Sequence, residues 1–179
     1  MKLFFGLIGI SLTMCNPNSA NNTEFVSSSQ DSTKTKKNIM ADTLQKTDEE
    51  WKKTLTPDQY DVLRNKGTER PHTSALNNNF EPGTYVCAGC GIELFTSTQK
   101  FDGHCGWPSF DNEIGGGDRV KKIKDNTLGM SRTEIVCAKC GGHLGHIFDD
   151  GPTQTGQRYC VNGLSLNFKK LEKDNVENK

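Results

Sequence analysis

Cys160 lies in a short stretch whose residue types suit a reactive thiol. It belongs to the run GQRYCVNG (156–163), two residues after Arg158 and two before Asn162. A neighbouring cation and hydrogen-bond donors stabilise a thiolate, which is the nucleophilic form of cysteine. Alternation along a strand would put Arg158 and Cys160 on one face by geometry alone, and buried unreactive cysteine is common. The stretch by itself leaves a nucleophile and an inert cysteine equally open.

Cys105 offers a second thiol that could work with Cys160. It lies in FDGHCGWPSF (101–110), where two glycines and a proline predict a loop. A cysteine in a mobile loop can reach a thiol far along the chain, which makes a two-thiol redox cycle plausible. A structural disulfide between Cys105 and Cys160 is an equally good interpretation of the residues alone.

Four further cysteines form a repeated unit. The motif C-x-x-C-G occurs at 87–91 and again at 137–141, each time after a valine-containing strand. Zn²⁺ accepts four thiolates tetrahedrally in closed structural sites, so the repeat predicts one structural zinc ion per chain. Two disulfides, which an exported protein could tolerate, are the alternative. The predicted ligands are Cys87, Cys90, Cys137 and Cys140.

Two of the four histidines lie between the second motif and Cys160. His143 and His146 occur in GHLGHIFDDG (142–151), which also contains carboxylates. Histidine can bind zinc, but four thiolates already complete the predicted site. Proton transfer is therefore the favoured role for this cluster.

The composition limits the class of protein. The 179 residues suit one domain with an additional tail, and 22 basic residues balance 22 acidic ones. A net charge of zero gives no overall basic field, which argues against a nucleic-acid-binding protein. Hydrophobic residues make up only 32% of the chain, but polar residues are concentrated in 16–46, so the remainder is richer in apolar groups.

The N-terminal segment predicts export. Residues 1–14 (MKLFFGLIGISLTM) carry one lysine followed by twelve uncharged residues, which is the length of a signal-peptide core and too short to span a bilayer. Cys15 follows directly and resembles the lipidated cysteine of a bacterial lipoprotein, although Met14 stands where a small residue is usual. Cleavage after Ala20 is the alternative. We expect a signal peptide at 1–15 and a location in the bacterial cell envelope or periplasm, membrane-anchored if Cys15 is lipidated.

The rest of the chain divides into a tether, a domain and a short tail. Residues 16–42 show no sustained period and predict a flexible polar tether, and 171–179 predict a polar tail. Within the domain at 43–170, Thr47 with Glu50 forms a capping box, and Thr56 with Pro57 begins a second helix that stops at Gly67. From residue 83, short apolar or alternating runs separated by turn residues predict antiparallel strands. The runs are TYVCA, IELF, RVKKI, TEIVCA, HIF and RYCVNGLSLNF.

Several motifs in order resemble one family, the B-type methionine sulfoxide reductases, which reduce the R epimer of methionine sulfoxide. The resemblance runs from about Trp51 to Phe168. It rests on GTYVCAGCG, KFDGHCGWPSF, EIVCAKCGGHLGHIFDDGP and RYCVNGLSLNF. It implies a mainly β fold of two small antiparallel sheets, a β-tent, with short N-terminal helices and a structural zinc site.

The resemblance also implies roles for individual residues. Cys160 matches the catalytic cysteine, Cys105 the resolving cysteine, and the four cysteines of the repeated motif the zinc ligands. Trp107 matches the aromatic residue that receives the substrate methyl group, and Phe148 is a second candidate for substrate binding. The residues expected around the sulfoxide are His143, His146, Asp150, Arg158 and Asn162. His104 departs from the glycine of many relatives, beside the resolving cysteine.

These roles imply a reaction. A Cys160 thiolate favoured by Arg158 attacks the sulfoxide sulfur, His146 protonates the oxygen, and Cys160 becomes a sulfenic acid. Cys105 then forms a disulfide with it, which thioredoxin or a similar dithiol protein reduces. The expected substrate is methionine sulfoxide, free or in oxidised proteins, and the expected state is a monomer. The alternatives are a zinc-ribbon binding module without catalysis and a thiol peroxidase or disulfide exchanger.

Overall fold

The computed structural model describes residues 44–172. The predicted signal peptide, Cys15, the tether at 16–42 and all but the first two residues of the predicted tail lie outside the described residues. Within the described part, no helix is both long and apolar enough to cross a membrane.

Two short helices open the fold, and each begins with a capping box. Helix α1 (Asp48–Thr54) follows Thr47, whose side chain accepts from the backbone of Glu50 while the Glu50 carboxylate accepts from Thr47. Helix α2 (Pro57–Asn65) follows Thr56 with the same reciprocal pattern. Each box satisfies two N–H groups that a helix start leaves unpaired. The predicted starts of both helices are confirmed.

Within the described residues, nine strands follow the helices, and every pairing between them is antiparallel. They form a three-stranded sheet in the order β2-β1-β9 and a six-stranded sheet in the order β3-β4-β8-β7-β6-β5. The strands are β1 (Gly83–Cys87), β2 (Glu93–Thr96), β3 (Lys100–Phe101), β4 (Ser109–Phe110), β5 (Val120–Asp125), β6 (Arg132–Cys137), β7 (His143–Phe148), β8 (Arg158–Val161) and β9 (Leu166–Lys170). The prediction of two small antiparallel sheets with short N-terminal helices is confirmed.

An aromatic cluster joins the two sheets. Phe95 of the small sheet stacks on Phe110 of the large one at 4.3 Å between ring centroids, and Tyr85 meets Phe110 edge to face at 4.9 Å. All three residues are fully buried. Such pairs add about 0.5–1.5 kcal/mol beyond the burial of their area. The cluster fixes strand β4 and the neighbouring strand β8, which carries Cys160.

Three local features differ from the sequence prediction. The run RYCVNGLSLNF is two strands, β8 and β9, which a short 3₁₀ turn at Gly163–Ser165 sends into different sheets. Strands β3 and β4 have two residues each, which is too short for a period to show. The left-handed residue that ends α2 is Lys66 (φ 60°) and not the adjacent Gly67, and the Lys66 ammonium pairs with Glu134 at 2.8 Å.

Candidate active site

Cys160 lies between two strands that supply its neighbours. On β8 it is paired with Ser109 of β4 on one side and with His146 of β7 on the other. Directly opposed residues of adjacent strands point to the same side of a sheet. Gly145 makes this closeness possible, because a Cβ at that position would collide with the Cys160 carbonyl oxygen. The sheet therefore sets the thiol beside the imidazole.

A register shift between strands β6 and β7 brings His143 to the same face of the sheet as His146. His143 and His146 are three residues apart, so an uninterrupted strand would point them in opposite directions. The register shifts at Leu144, whose side chain enters the core, and bulges of this kind re-aim side chains. The two imidazole rings consequently lie 5.7 Å apart between centroids.

Each histidine has its own carboxylate. His143 Nδ1 is 2.7 Å from Glu134, and His146 Nε2 is 2.8 Å from Asp125. Burial lowers the pKa of His143, so the ring is neutral and donates its Nδ1–H to Glu134. Burial alone would raise the pKa of Glu134, but the bonds from Lys66 and His143 outweigh it and hold that pKa below its usual value.

The loop between β3 and β4 brings the second thiol to the first. Cys105 Sγ lies 3.7 Å from Cys160 Sγ and 3.4 Å from the Ser109 hydroxyl. Both cysteines are partly exposed, and neither is in a disulfide. His104, in the same loop, adopts φ 50° and its amide donates to the Asp102 carboxylate at 2.9 Å. The non-glycine residue is thus accommodated in a left-handed turn next to Cys105.

The two thiols titrate as one unit. The hydrogen bond with Cys160 lowers the pKa of Cys105 to about 5, and the Ser109 hydroxyl lowers it further against the effect of burial. The same sulfur contact, together with burial, raises the pKa of Cys160, while the Arg158 charge lowers it. The first negative charge of the reduced pair therefore lies on Cys105, and it reaches Cys160 when one proton crosses the sulfur contact.

Arg158 is held by Asp150 and an aromatic ring. The guanidinium donates to both carboxylate oxygens of Asp150 at 2.8 Å, and its carbon lies 4.6 Å from the centre of the Phe148 ring. The bonds from Arg158 lower the pKa of Asp150. Because the Asp150 side chain is 59% exposed, this ion pair lies at the solvent-exposed edge of the site.

The segment after α2 forms a wall of the site. Glu69 accepts from the backbone amides of Gly163 and Leu164 at 2.6 and 2.8 Å, while its own amide donates to Asn162 Oδ1 at 3.1 Å. The indole N–H of Trp107 donates to the Glu69 carbonyl at 3.2 Å. These bonds tie the aromatic residue of one loop to the end of β8. Asn162 therefore connects the end of β8 to the segment after α2, and it also lines the pocket.

A pocket of about 140 Å³ opens where these elements meet. Its apolar walls are the Trp107 and Phe148 rings, and Cys160 and His146 supply its chemistry. This brings together five of the residues predicted for the site, since Asn162 also lines the pocket. The lining residues are Thr68, Trp107, Arg132, Gly145, His146, Phe148, Cys160 and Asn162.

Arg132, Gly145 and Thr68 are pocket residues that sequence reasoning missed. Arg132 is the first residue of β6 and Thr68 lies in the segment after α2. Neither belongs to a motif with a recognisable spacing. Arg132 begins β6 and is directly paired with Asp125, the last residue of β5. An acidic residue at the end of one strand and a basic residue at the start of the next are the sequence signal that could have identified Arg132.

The four remaining cysteines of the described residues form a cluster that could hold a metal ion. Their Sγ atoms all lie within 4.8 Å of one another, with 3.7 Å between Cys87 and Cys140 and 3.6 Å between Cys90 and Cys137. Four sulfurs about 2.3 Å from one zinc ion would be ~3.8 Å apart, so the donor set fits tetrahedral zinc. None of the four forms a disulfide.

The repeated motif folds in the same way twice. The amide of Cys87 donates to Ile92 and that of Gly91 to Cys87, and the corresponding bonds run from Cys137 to Gly142 and from Gly141 to Cys137. Both glycines adopt positive φ, which only glycine does without strain. Since Cys87 ends a strand of the small sheet and Cys137 one of the large sheet, a bound zinc ion would join the two sheets.

Comparison with known proteins identifies the family. A family model described as the SelR domain matches residues 55–170. This chain belongs to the SelR domain family. A relative from Methanosarcina barkeri is 56% identical over 129 residues, covering 72% of this chain and 90% of the relative, and its name is peptide methionine sulfoxide reductase MsrB.

Two bacterial relatives carry the same name. The protein of Leptospira interrogans is 57% identical over 127 residues, covering 71% of this chain and 96% of the relative. The protein of Acinetobacter baumannii is 50% identical over 134 residues, covering 75% and 96%. The resemblance to B-type methionine sulfoxide reductases inferred from the motifs is confirmed.

Proposed function

We propose that this SelR-family protein reduces methionine-R-sulfoxide to methionine with Cys160 as the nucleophile. The observation that carries the proposal is the 3.7 Å contact between Cys105 Sγ and Cys160 Sγ at a pocket with aromatic walls. A non-catalytic zinc-ribbon module would have no need of two partly exposed thiols held beside an imidazole.

The pocket residues suit the parts of a methionine sulfoxide side chain. The Trp107 and Phe148 rings offer apolar faces to the S-methyl group, and His146 lines the same pocket as a proton donor. A volume of about 140 Å³ is small for a ligand pocket, which favours a single side chain over a larger molecule. A residue of an oxidised protein could enter from the open side, as could free methionine sulfoxide.

The first chemical step consumes one thiolate and one proton. Cys160 Sγ supplies two electrons to the sulfoxide sulfur, His146 delivers a proton to the oxygen, and the sulfur–oxygen bond breaks. The hydroxyl is transferred from the substrate sulfur to Cys160 Sγ, so that methionine leaves with the electron pair and Cys160 becomes a sulfenic acid. The starting charge on Cys105 moves to Cys160 with the transfer of one proton between the sulfurs.

The second step uses Cys105. Its thiol attacks Cys160 Sγ, a sulfur–sulfur bond replaces the sulfur–oxygen bond, and the hydroxyl departs as water with the Cys105 proton. A dithiol protein such as thioredoxin, or an exported protein like it, then reduces the disulfide by exchange. The partly exposed position of both cysteines supports access by such a donor.

The zinc site supports the reaction through the fold. Cys87, Cys90, Cys137 and Cys140 would hold one ion, and the four thiolates leave no position for substrate. When bound, zinc supplies folding free energy and holds the ends of β1 and β6 together. Every chemical role therefore falls to side chains outside the zinc site.

The N-terminal sequence alone supports the proposed location. The uncharged run of residues 3–14 and the following Cys15 support export to the cell envelope or periplasm, with a lipid anchor on Cys15. In that compartment the protein would repair oxidised proteins during oxidative stress, as a monomer recycled by an exported donor. Mass measurement of the mature N-terminus distinguishes lipidation at Cys15 from cleavage after Ala20.

A stereochemical assay tests the proposed activity. Purified protein with dithiothreitol should convert the R epimer of methionine sulfoxide and leave the S epimer, whereas a Cys160→Ser variant should convert neither. Hydrogen peroxide and a small disulfide serve as the competing substrates. Equal consumption of both epimers, or faster consumption of peroxide or disulfide than of the R epimer, would overturn the proposal.

A further inference from the structure

Asp125, at the end of β5, receives four hydrogen bonds beside the pocket. Its Oδ1 accepts from the Thr127 amide at 2.9 Å and the Thr127 hydroxyl at 2.6 Å. Its Oδ2 accepts from Arg132 Nη2 at 2.9 Å and contacts His146 Nε2 at 2.8 Å. One carboxylate thus joins the turn of the β5–β6 hairpin to two residues that line the pocket.

The three charged or titratable side chains of this cluster are largely shielded. The exposed fractions are 11% for Asp125, 16% for His146 and 24% for Arg132. The bonds from Thr127, followed by those from His146 and Arg132, hold the pKa of Asp125 below its usual range, so the carboxylate is ionised at neutral pH. An ionised carboxylate can accept from every one of these donors at once.

A carboxylate on Nε2 determines what His146 can do. It keeps the proton on Nε2 and fixes the plane of the ring, as the aspartate of a catalytic triad does for its histidine. An imidazole has two ring nitrogens, so exchange of a proton with a bound ligand then falls to Nδ1. His143 pairs with Glu134 instead, so of these two histidines only His146 contacts Asp125.

We propose that Asp125 is the positioning residue for His146 and that Arg132 holds Asp125 in place. This inference rests on the proposed function, in which His146 protonates the sulfoxide oxygen. The proton passes from Nδ1 to that oxygen as the sulfur–oxygen bond breaks, while the Nε2 proton stays shared with Asp125. The ring is left neutral, and solvent restores the Nδ1 proton before the next turnover.

A double-mutant cycle separates positioning from a structural role. Asp125→Asn should lower the single-turnover rate of methionine release roughly 10- to 100-fold, as part of the ~10²–10⁴-fold that a general acid contributes. The same substitution in a His146→Gln background should change the rate less than about twofold, because residues that act through one another are not additive. An equal loss in both backgrounds would show that Asp125 does not act through His146.

A matched control and a spectroscopic readout complete the test. Asp118→Asn makes the same chemical change in the exposed segment before β5, and it should leave the rate, zinc content and melting temperature unchanged. The ¹⁵N signals of the neutral His146 ring should report the Nε2–H tautomer in the wild type and a mixture of tautomers in Asp125→Asn. The same tautomer in both proteins would overturn the proposal.

A third variant keeps the proposal testable if Asp125→Asn does not fold. Arg132→Gln leaves the contact between Asp125 and His146 but removes the guanidinium, and it should show a smaller loss that also vanishes in the His146→Gln background. Failure of the proposed function is distinguishable, because the wild type itself would then not release methionine from the R epimer. An active wild type with a fully active Asp125→Asn would reject the inference alone.

Discussion

The residues that the structure describes contain two groups of thiols, which have nearly equal sulfur separations but different backbone geometry and neighbours. In the zinc site the close pairs are 3.6 and 3.7 Å apart, and in the pocket Cys105 and Cys160 are 3.7 Å apart. Three of the four zinc ligands are buried, whereas both pocket cysteines are partly exposed. Sulfur proximity alone therefore does not distinguish a structural thiol from a reactive one.

Backbone geometry and neighbours explain the difference. Each pair of zinc ligands occupies a turn fixed by its own backbone hydrogen bonds, and the repeat of the turn makes a closed four-sulfur cage. Cys160 instead lies on a strand next to His146, and Cys105 comes from a loop. Four converging thiolates suit a metal, while two thiols with a cation and an imidazole suit redox chemistry.

The largest effect is expected at Cys160. Cys160→Ser should lower turnover by more than ~10³-fold with any reductant, because an alcohol at neutral pH is a far poorer nucleophile than a thiolate. Zinc content should remain one ion per chain, since the residue lies outside the metal site. Measurable turnover by the variant in the same R-epimer assay would remove Cys160 from the mechanism.

Cys140→Ser should have the opposite profile to Cys160→Ser. It should release zinc and lower the free energy of unfolding by about 4 kcal/mol or more, the range typical of a lost metal site. Metal analysis and urea unfolding measure both quantities. If zinc content stayed at one ion per chain, the four-thiolate assignment would be wrong, and the contrast between the two groups of thiols would fail.

Cys105→Ser should divide the reaction into its two halves. The variant should release one methionine per chain and should turn over with dithiothreitol, which can attack the sulfenic acid directly, but not with thioredoxin. A structural disulfide predicts instead that reduction of the wild type lowers its stability without creating activity. Turnover of the variant with thioredoxin at the wild-type rate would exclude the resolving role.

The pH dependence of alkylation should also differ between the two groups of thiols. The pKa of Cys105 is lowered to about 5, so the pocket pair carries a thiolate at every pH above that value. Iodoacetamide should therefore modify the reduced, zinc-loaded protein in the pocket down to about pH 5 and lose that reaction below it. Mass mapping of the modified cysteines checks this, and a reaction that appears only above pH 8 would contradict the lowered pKa.

Glu69→Gln should weaken the pocket wall without touching the thiols. A neutral amide offers one oxygen where the carboxylate accepts from Gly163 and Leu164, and such a buried loss costs about 1–3 kcal/mol. We expect KM for the R epimer to rise, with zinc content unchanged, because the segment whose Glu69 carbonyl accepts from the Trp107 indole N–H is held less firmly. An unaltered KM would show that this tie does not position the substrate.

The smallest effect is expected at Asp150. Its exposed ion pair with Arg158 should contribute only ~0.2–1 kcal/mol to stability, so Asp150→Asn should unfold within that range of the wild type. Arg158 also lies against the Phe148 ring, which holds it near the thiols without the carboxylate. A loss of activity as large as that of Cys160→Ser would mean that Asp150 takes part in the chemistry directly.

Local signals in the sequence predicted much of this molecule. Both helix starts and the zinc ligands follow from residues a few positions apart, such as the Thr47–Glu50 box and the two C-x-x-C-G turns, whereas the arrangement of the strands in two sheets is implied by the family resemblance. These features depend on short-range hydrogen bonds and side-chain types that are visible in a window of a few residues.

The missed features depend on register between distant strands. Arg132 and Asp125 are single polar residues, and only the pairing of β5, β6 and β7 brings them to His146. The slip at Leu144 that turns His143 onto the same face also leaves no mark in a count of alternating residues. Non-local pairing determines such details, and periodicity in one segment cannot report it.

One measurement tests the central claim that Cys105 and Cys160 form a redox pair for a sulfoxide. Reduced, zinc-loaded protein is mixed with excess methionine-R-sulfoxide without a reductant, and the released methionine and the protein disulfides are quantified together. The account predicts one methionine per chain and one disulfide that maps to Cys105 and Cys160, with the zinc ligands unchanged. Methionine release with no such disulfide, or a disulfide among the zinc ligands, would contradict it.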